Sequence, residues 1–339
     1  MQRCFELAQM GAGHTAPNPM VGAVLVYKDT IIGEGYHQQY GKAHGEVNCI
    51  NSVTAENKGL IAESSLYVSL EPCSHVGKTP ACTEFIIKNK IPTVIIGCRD
   101  NNTLVDGKGI TKLKAAGVNV ITGVLERDAQ ELNKRFFTYH ANQRPYIILK
   151  WAQSSNKKIS VDSGKRILIS NGISNKLVHQ WRSEEAAILV GTNTAMADDP
   201  ALTTRLWPGS NPLRLVIDMD LKLPASLNVF DKKVKTIVFN GIKHEEGELL
   251  YFYKIEKDKN NLVQILNALY KLEILSVIVE GGAKLLQSFI DNDLWDEARV
   301  ITNTEMNIPD GLNAPVLMAN KIINSIKLQA DTINIHLPG

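Results

Sequence analysis

His44 and Glu46 stand two residues apart in the stretch AHGEVNCI, and downstream the stretch PCSHVGKTPAC carries Cys73 and Cys82 nine positions apart. An imidazole and two thiols are donors that zinc takes readily, and three such ligands leave one tetrahedral position for water. A metal in that setting lowers the pKa of the water toward neutrality, which makes a hydrolytic nucleophile available at ordinary pH. Glu46 then has a separate task. A carboxylate that is not a ligand takes a proton and delivers it to a ring nitrogen and a departing amine. Pro72 suits the first position of a helix, where its missing N–H is no loss, so a helix start is expected at Cys73. A second is expected at Cys82, in ACTEFIIK, so that both thiols sit where helix N-termini favour thiolate. Taken singly, each cysteine reads as a small buried hydrophobe and His44 as a core histidine. With Glu46 and Pro72 in this order, they read together as one site.

The order His-x-Glu, Pro-Cys, Cys is that of the hydrolytic zinc deaminases. In deaminases of free bases and nucleosides the second cysteine follows the first by three residues, a position held here by Val76. The loop SHVGKTPA is six residues longer. Two other readings stay open on these residues alone. One is a deaminase of nucleic acid or free nucleosides; the other is a zinc-binding module without catalysis. A second constellation lies further on. SVIVEGGAKLLQSFI runs from a strand through Glu280, Gly281 and Gly282 into a helix with Leu285, Leu286 and Phe289 on one face. Glycines there let a phosphate approach a helix N-terminus, whose free N–H groups favour anions; the same turn also serves plain helix–strand packing.

These residues need a scaffold that gathers positions 44, 73 and 82. The runs VGAVLVY, SLYVSL, TVIIG and VNVITG read as strands, with CTEFIIKNK and GITKLKAAG as helices between them. That alternation is the mark of an α/β layered fold. After NQRP the pattern restarts with YIILK, AAILVG, LRLVID, KTIVFN, LSVIVEGG, ARVITN and TINIHL as strands of a second sheet, while KHEEGELLYFYKIEKDKNN reads as a solvated, charged excursion. At 339 residues the chain is too long for one ordinary core, and Pro145 with its polar neighbours marks a boundary that gives domains 1–143 and 144–339. All five cysteines fall in the first 98 residues, an odd number that argues against a disulfide framework and suggests different chemistry in the two halves. A net charge of +2 lacks the basic excess of a polynucleotide binder. No stretch approaches the roughly 18 apolar residues of a membrane span, and the N-terminus MQRCFELAQMGAGHTAPNP has no signal-peptide hydrophobic region. A cytoplasmic enzyme is expected, with neither nucleic acid nor membrane as partner, working as a homo-oligomer.

PCSHVGKTPAC resembles throughout the Pro-Cys-Ser-His-x-Gly-(Lys/Arg)-Thr-Pro-x-Cys loop of the bifunctional riboflavin-biosynthesis deaminase/reductases, and TAPNPMVGAVLV and GEGYHQQYGKAHGE resemble that family's first strand region. GTNTAMADDPALTTR, Gly191 to Arg205, is similar to the Gly-x-x-Thr-x-x-x-Asp-x-Pro-x-Leu-Thr-x-Arg pattern of its reductase half. The resemblance implies a cytidine-deaminase-like three-layer α/β/α domain followed by a dihydrofolate-reductase-like α/β domain, with Zn²⁺ and NADPH as cofactors. It implies a phosphoribosylated pyrimidine as substrate, first deaminated and then reduced from ribosyl to ribityl. By the same resemblance Asn18 and His37 bind the pyrimidine and Lys78 the phosphoribosyl end. Lys150, Arg166, Arg182, Leu202, Arg205 and Glu280 contact the substrate in the second half. Ala152, Leu168, Thr194, Asp198 and the run Gly282, Ala283, Lys284, Leu285, Leu286, Gln287 and Ser288 line the cofactor. Four departures from the family pattern occur, at five positions. Gly45 replaces Ala, Asn156 and Lys157 replace Asp-Gly, Arg166 replaces Ser and Leu168 replaces Trp. The last three departures keep open a second domain that binds ribotide or assembles the protein without reducing anything.

Overall fold

The structure is a computed structural model and describes residues 1–75, 80–101, 106–161, 167–257 and 259–339. Two compact units divide at Gln143 and Arg144. In the first, helix α1 (Gln2–Gln9) precedes strands β1 (Gly22–Tyr27) and β2 (Thr30–Tyr36). Lys28 and Asp29 both take positive φ between them, the two-residue turn whose twist matches a hairpin. Helix α2 (Gly45–Asn51), strand β3 (Ser65–Leu70), helix α3 (Cys82–Lys88) and strand β4 (Thr93–Cys98) follow. Helix α4 (Lys108–Ala115), strand β5 (Asn119–Thr122) and helices α5 (Glu126–Leu132) and α6 (Lys134–Asn142) complete it. The sheet order is β2-β1-β3-β4-β5, antiparallel in its first two pairings and parallel in its last two. Ala23, Leu25, Leu66, Val68, Val94 and Ile96 pack with Cys49, Ile50 and Ile86 of α2 and α3 on one face. Helix α2 therefore buries Glu46 and Cys49 as well as Ile50, whereas Val47 is only half-buried.

The second unit opens with strand β6 (Tyr146–Ser154), helix α7 (Gly172–Glu184), strand β7 (Ala187–Gly191) and helix α8 (Thr192–Asp198). Strands β8 (Leu213–Ile217), β9 (Thr236–Asn240) and β10 (Leu250–Lys254), helix α9 (Asn261–Lys271), strand β11 (Ser276–Val279) and helix α10 (Ala283–Asp291) come next. Strands β12 (Glu297–Asn303), β13 (Asn320–Leu328) and β14 (Asp331–Pro338) close the chain. The sheet order is β10-β9-β8-β7-β11-β6-β12-β14-β13, parallel from β10 to β12 and antiparallel beyond. Near-continuous apolar strands such as AILVG and SVIV suit a parallel sheet covered on both faces. Arg144 starts the unit by forking onto Asp296 at 2.6 and 2.8 Å.

Two sequence expectations need correction. The charged stretch 243–261 is not all excursion, because its middle forms β10, paired in parallel with β9, with Tyr251 buried. No helix begins at Cys73. Among the described residues, no helix is long and apolar enough to cross a membrane.

Candidate active sites

Cys73 leaves the end of β3 through Glu71 and Pro72, and its position is set by backbone donors. Helix α3 begins at Cys82, and the Cys82 N–H donates to Cys73 Sγ at 3.3 Å while the Thr83 N–H donates to the Cys73 carbonyl at 3.2 Å. Thus Cys73 does face a helix N-terminus, that of α3, and caps it instead of starting a helix of its own. Glu71 holds the strand end from the other side. Its buried carboxylate accepts from the N–H groups of Gly109 at 3.0 Å, Ile110 at 3.2 Å, Gly107 at 3.1 Å and Asp100 at 3.3 Å.

His44 caps α2, and its Nδ1 lies 3.3 Å from Cys82 Sγ and 3.6 Å from Cys73 Sγ. The three donor atoms all fall within 4.8 Å of one another. With metal–sulfur bonds near 2.3 Å and metal–nitrogen near 2.0 Å, a tetrahedral site needs nitrogen–sulfur edges of roughly 3.5 Å. The donor set thus fits zinc in type and spacing. The Cys73 thiol is pulled down to about 4, chiefly by the Cys82 thiol that bonds to it, and Cys82 is raised in turn. Gly45, between His44 and Glu46, is required by close packing, because a Cβ there would lie 2.7 Å from the Val21 carbonyl oxygen. An alanine at this position would have to push Val21 aside.

Glu46 is 3 % exposed, and its Oε2 is a buried atom without a hydrogen-bond partner. Burial raises its carboxyl above the usual range. A polar atom left open beside a metal-type cluster marks where a reacting group is to be received. The rings of His37 and His44 meet edge to face at 5.1 Å. His37 Nδ1 donates to the Ala43 carbonyl at 3.1 Å, so its Nε2 accepts from Asn18 Nδ2 at 3.2 Å, and burial keeps the ring neutral by lowering its pKa. Asn18 is half-buried. Lys78 lies outside the described residues.

In the second unit β11 delivers Glu280 into an ion cluster. Arg182 of α7 forks onto it, Nε to Oε1 at 2.8 Å and Nη2 to Oε2 at 2.7 Å, and its Nη1 donates to the Thr203 carbonyl at 3.1 Å. Lys150 Nζ lies 3.5 Å from the same Oε2. Burial works to raise the Glu280 carboxyl, but Arg182 and Lys150 outweigh it and hold it near 2. Arg205 is exposed, and Leu202 turns its side chain into the core, so that a contact from Leu202 must come from its backbone, held at φ 52°.

The glycine turn that follows opens a cleft of about 420 Å³ lined by Gly191, Thr192, Asn193, Thr194, Gly282, Ala283, Lys284, Leu285 and Leu312. Helices α8 and α10 both begin on it without side-chain caps. A Cβ on Gly281 would lie 2.6 Å from Leu285, and one on Gly282 would lie 3.1 Å from Thr194 Oγ1. Free N–H groups from two helix starts, a lysine and a missing Cβ make a cradle that suits the phosphates of a dinucleotide. Of the run implied for the cofactor, Gly282 to Leu285 line the cleft. Leu286 is fully buried in the core, Gln287 bonds Asp291, and Ser288 bonds the Leu285 carbonyl. Asp198 is exposed at the end of α8, Ala152 packs half-buried against the core, and Leu168 is 70 % exposed. Arg166 lies outside the described residues.

The departures at Asn156 and Lys157 keep the turn closed. Asn156 Oδ1 accepts from Ser154 Oγ at 2.7 Å, its Nδ2 donates to the Ile308 carbonyl at 2.8 Å, and Lys157 takes the left-handed φ of 58° that the missing glycine would have taken. Sequence reasoning passed over His179, three residues before Arg182 on the same helix. That spacing places the two on one face and was the available signal. His179 is buried, and its pKa is lowered to about 4 by burial, then by Arg182 and Arg205.

Acid stability follows from these shifts. Unfolded His179 gains its proton near 6.5, whereas the folded ring stays neutral down to about 4, so stability falls as pH drops through that window. Glu280 adds a second loss between 4.5 and about 2. The thermal midpoint of the second unit is expected to fall across both windows, and His179→Gln to flatten the upper one. A parent midpoint that stays level from pH 6.5 to 4 would contradict this account.

The chain is similar to known proteins along most of its length. Residues 1–98 match the cytidine and deoxycytidylate deaminase zinc-binding region, and residues 145–304 match the RibD C-terminal domain. The riboflavin biosynthesis protein RibD of Aquifex aeolicus is 39% identical over 97% of this chain and 92% of its own length. The RibD of Bacillus amyloliquefaciens is 40% identical over 88% of this chain and 81% of its own. A crystal structure of a diaminohydroxyphosphoribosylaminopyrimidine deaminase/5-amino-6-(5-phosphoribosylamino)uracil reductase from Thermotoga maritima superposes with a TM-score of 0.89 at 36% identity, covering 100% of this chain and 97% of that one. With relatives this similar over nearly its whole length, the chain belongs to the RibD family of bifunctional riboflavin-biosynthesis deaminase/reductases.

Proposed function

We propose that the chain performs two consecutive steps of riboflavin biosynthesis on one phosphoribosylated pyrimidine. The first is hydrolytic deamination of 2,5-diamino-6-(5-phosphoribosylamino)pyrimidin-4(3H)-one. The second is NADPH-dependent reduction of the ribosyl group of 5-amino-6-(5-phosphoribosylamino)uracil to ribityl. The observation that carries this reading is the open Oε2 of Glu46 beside the His44, Cys73 and Cys82 donors. Zinc, when bound by those three residues, supplies Lewis acidity that makes water a nucleophile near neutral pH. Glu46 Oε2 takes one proton from the water and passes it to the ring nitrogen, then carries a second, from the hydroxyl so added, to the departing amine. Asn18 and neutral His37 hold the pyrimidine, and Lys78 takes the phosphoribosyl end. In the second unit NADPH, when bound, supplies the hydride. Thr194, Gly282, Ala283 and Lys284 hold the cofactor, while Lys150, Arg182, Arg205 and Glu280 hold the ribotide.

The protein works in the cytoplasm, a reading supported by its five free cysteines, which stay reduced there. It works as a homo-oligomer, a reading supported by exposed Ile322 and Ile323 on the edge strand β13. The decisive experiment gives the purified protein the already deaminated intermediate and follows NADPH oxidation. Oxidation with formation of the ribityl product is expected. Its absence, from protein that still releases ammonia from the diamino substrate, would overturn the second activity and leave the first.

A further inference from the structure

Asn18 reaches the first site from a loop between two prolines, and prolines stiffen such a loop without fixing where it lies. Its anchor is two residues on and comes from the far end of the unit. Asn133, the single residue between α5 and α6, is 3 % exposed. Its Oδ1 accepts the Met20 N–H at 2.9 Å, and its Nδ2 donates to the Met20 carbonyl at 2.9 Å. Met20 lies just ahead of β1, and one amide side chain thus supplies the two-bond pairing that a neighbouring strand would give. The backbone of Asn133 is committed as well, its N–H to Gln130 and its carbonyl to Phe137. This leaves the fork no freedom to drift.

From Met20 the connection runs on without a gap. Asn18 Nδ2 meets His37 Nε2 at 3.2 Å, His37 Nδ1 donates to the Ala43 carbonyl at 3.1 Å, and Ala43 precedes His44. Asn48 Nδ2 also donates to Ala43 at 3.3 Å and fixes that carbonyl. With one of its two amide N–H groups given to His37, Asn18 keeps Oδ1 and the other N–H for the base. We infer that Asn133 is a positioning residue of the deaminase site, which acts on substrate binding through Asn18. The inference rests on the reading of Asn18 as a pyrimidine contact.

The test compares Asn18→Ala, Asn133→Ala and the double variant in the full chain, with the diamino substrate. Each measurement records KM, kcat and zinc content, and the NADPH-dependent step serves as a folding control. Asn133→Ala is expected to raise KM about tenfold with kcat changed less than about threefold, because lost binding that is equal in ground and transition states appears in KM. Zinc content and the second activity should be retained. The double variant should show the KM of Asn18→Ala alone, since a residue acting only through another adds nothing once that other is gone. Asn133→Asp keeps the acceptor and loses the donor, and carries the same test should the alanine variant not fold. If Asn18→Ala raises KM and Asn133→Ala does not, or if the two effects multiply, the positioning role is refuted while the base contact stands. If Asn18→Ala leaves KM unchanged, the base contact fails and the inference with it.

Discussion

Glu46→Gln is expected to lower ammonia release from the diaminopyrimidine by at least about 10³-fold while the protein keeps its zinc. Glutamine matches the shape of the side chain, so the packing of α2 against the sheet is undisturbed. The change removes the proton carrier alone. At 3 % exposure solvent cannot easily replace it, and Oε2 has no other partner to lose. His44, Cys73 and Cys82 are untouched, so metal content measured by atomic absorption should equal that of the parent. A rate within tenfold of the parent would show that protons travel by another route. Loss of metal together with activity would show that Glu46 helps to build the site and would leave its chemical role without support.

Glu280→Gln should strike the other half. It removes the carboxylate that both Arg182 and Lys150 face, at 2.7 and 3.5 Å, and leaves two cations of about 13 % and 12 % side-chain exposure side by side. Breaking a buried pair costs about 3 to 5 kcal/mol, because the charge left behind is neither paired nor hydrated. For a unit of this length each kcal/mol moves the thermal midpoint by roughly 2 to 4 °C, which gives a fall on the order of 10 °C. NADPH oxidation should fall at least about 10²-fold, since a misplacement of even 1 Å in a positioning group costs that much. Deamination should survive, because its residues belong to the other unit. An unchanged midpoint with unchanged oxidation would remove Glu280 from both roles.

How much of this was legible in the sequence differs between the halves. His44, Glu46, Cys73 and Cys82 could be read because metal donors are rare residue types and their spacing is informative. The strands of both sheets could be read wherever apolar runs were bounded by turns. Strand β10 was hidden because its partly exposed Phe252 and Tyr253 sit among lysines and glutamates, and period-two alternation is weak in so short a run. The capping of α3 by Cys73 was hidden for another reason: the bond joins residues across a loop, and nothing local records it. Asn133 and Glu71 carry no signal at all. Each is an ordinary polar residue whose role depends on backbone groups brought to it by the fold, as far as 113 positions away.

The fork of Arg182 onto Glu280 has a meaning for selectivity. Nε and Nη2 each give one N–H to the carboxylate and Nη1 gives one to the Thr203 carbonyl, so that of five donors two remain, one on each terminal nitrogen. Glu280 thus stops the rotation of the guanidinium and decides which donors a ligand meets. A phosphate brings charge and several acceptors to that fixed direction, and a dephosphorylated analogue, with neither, would be held less well.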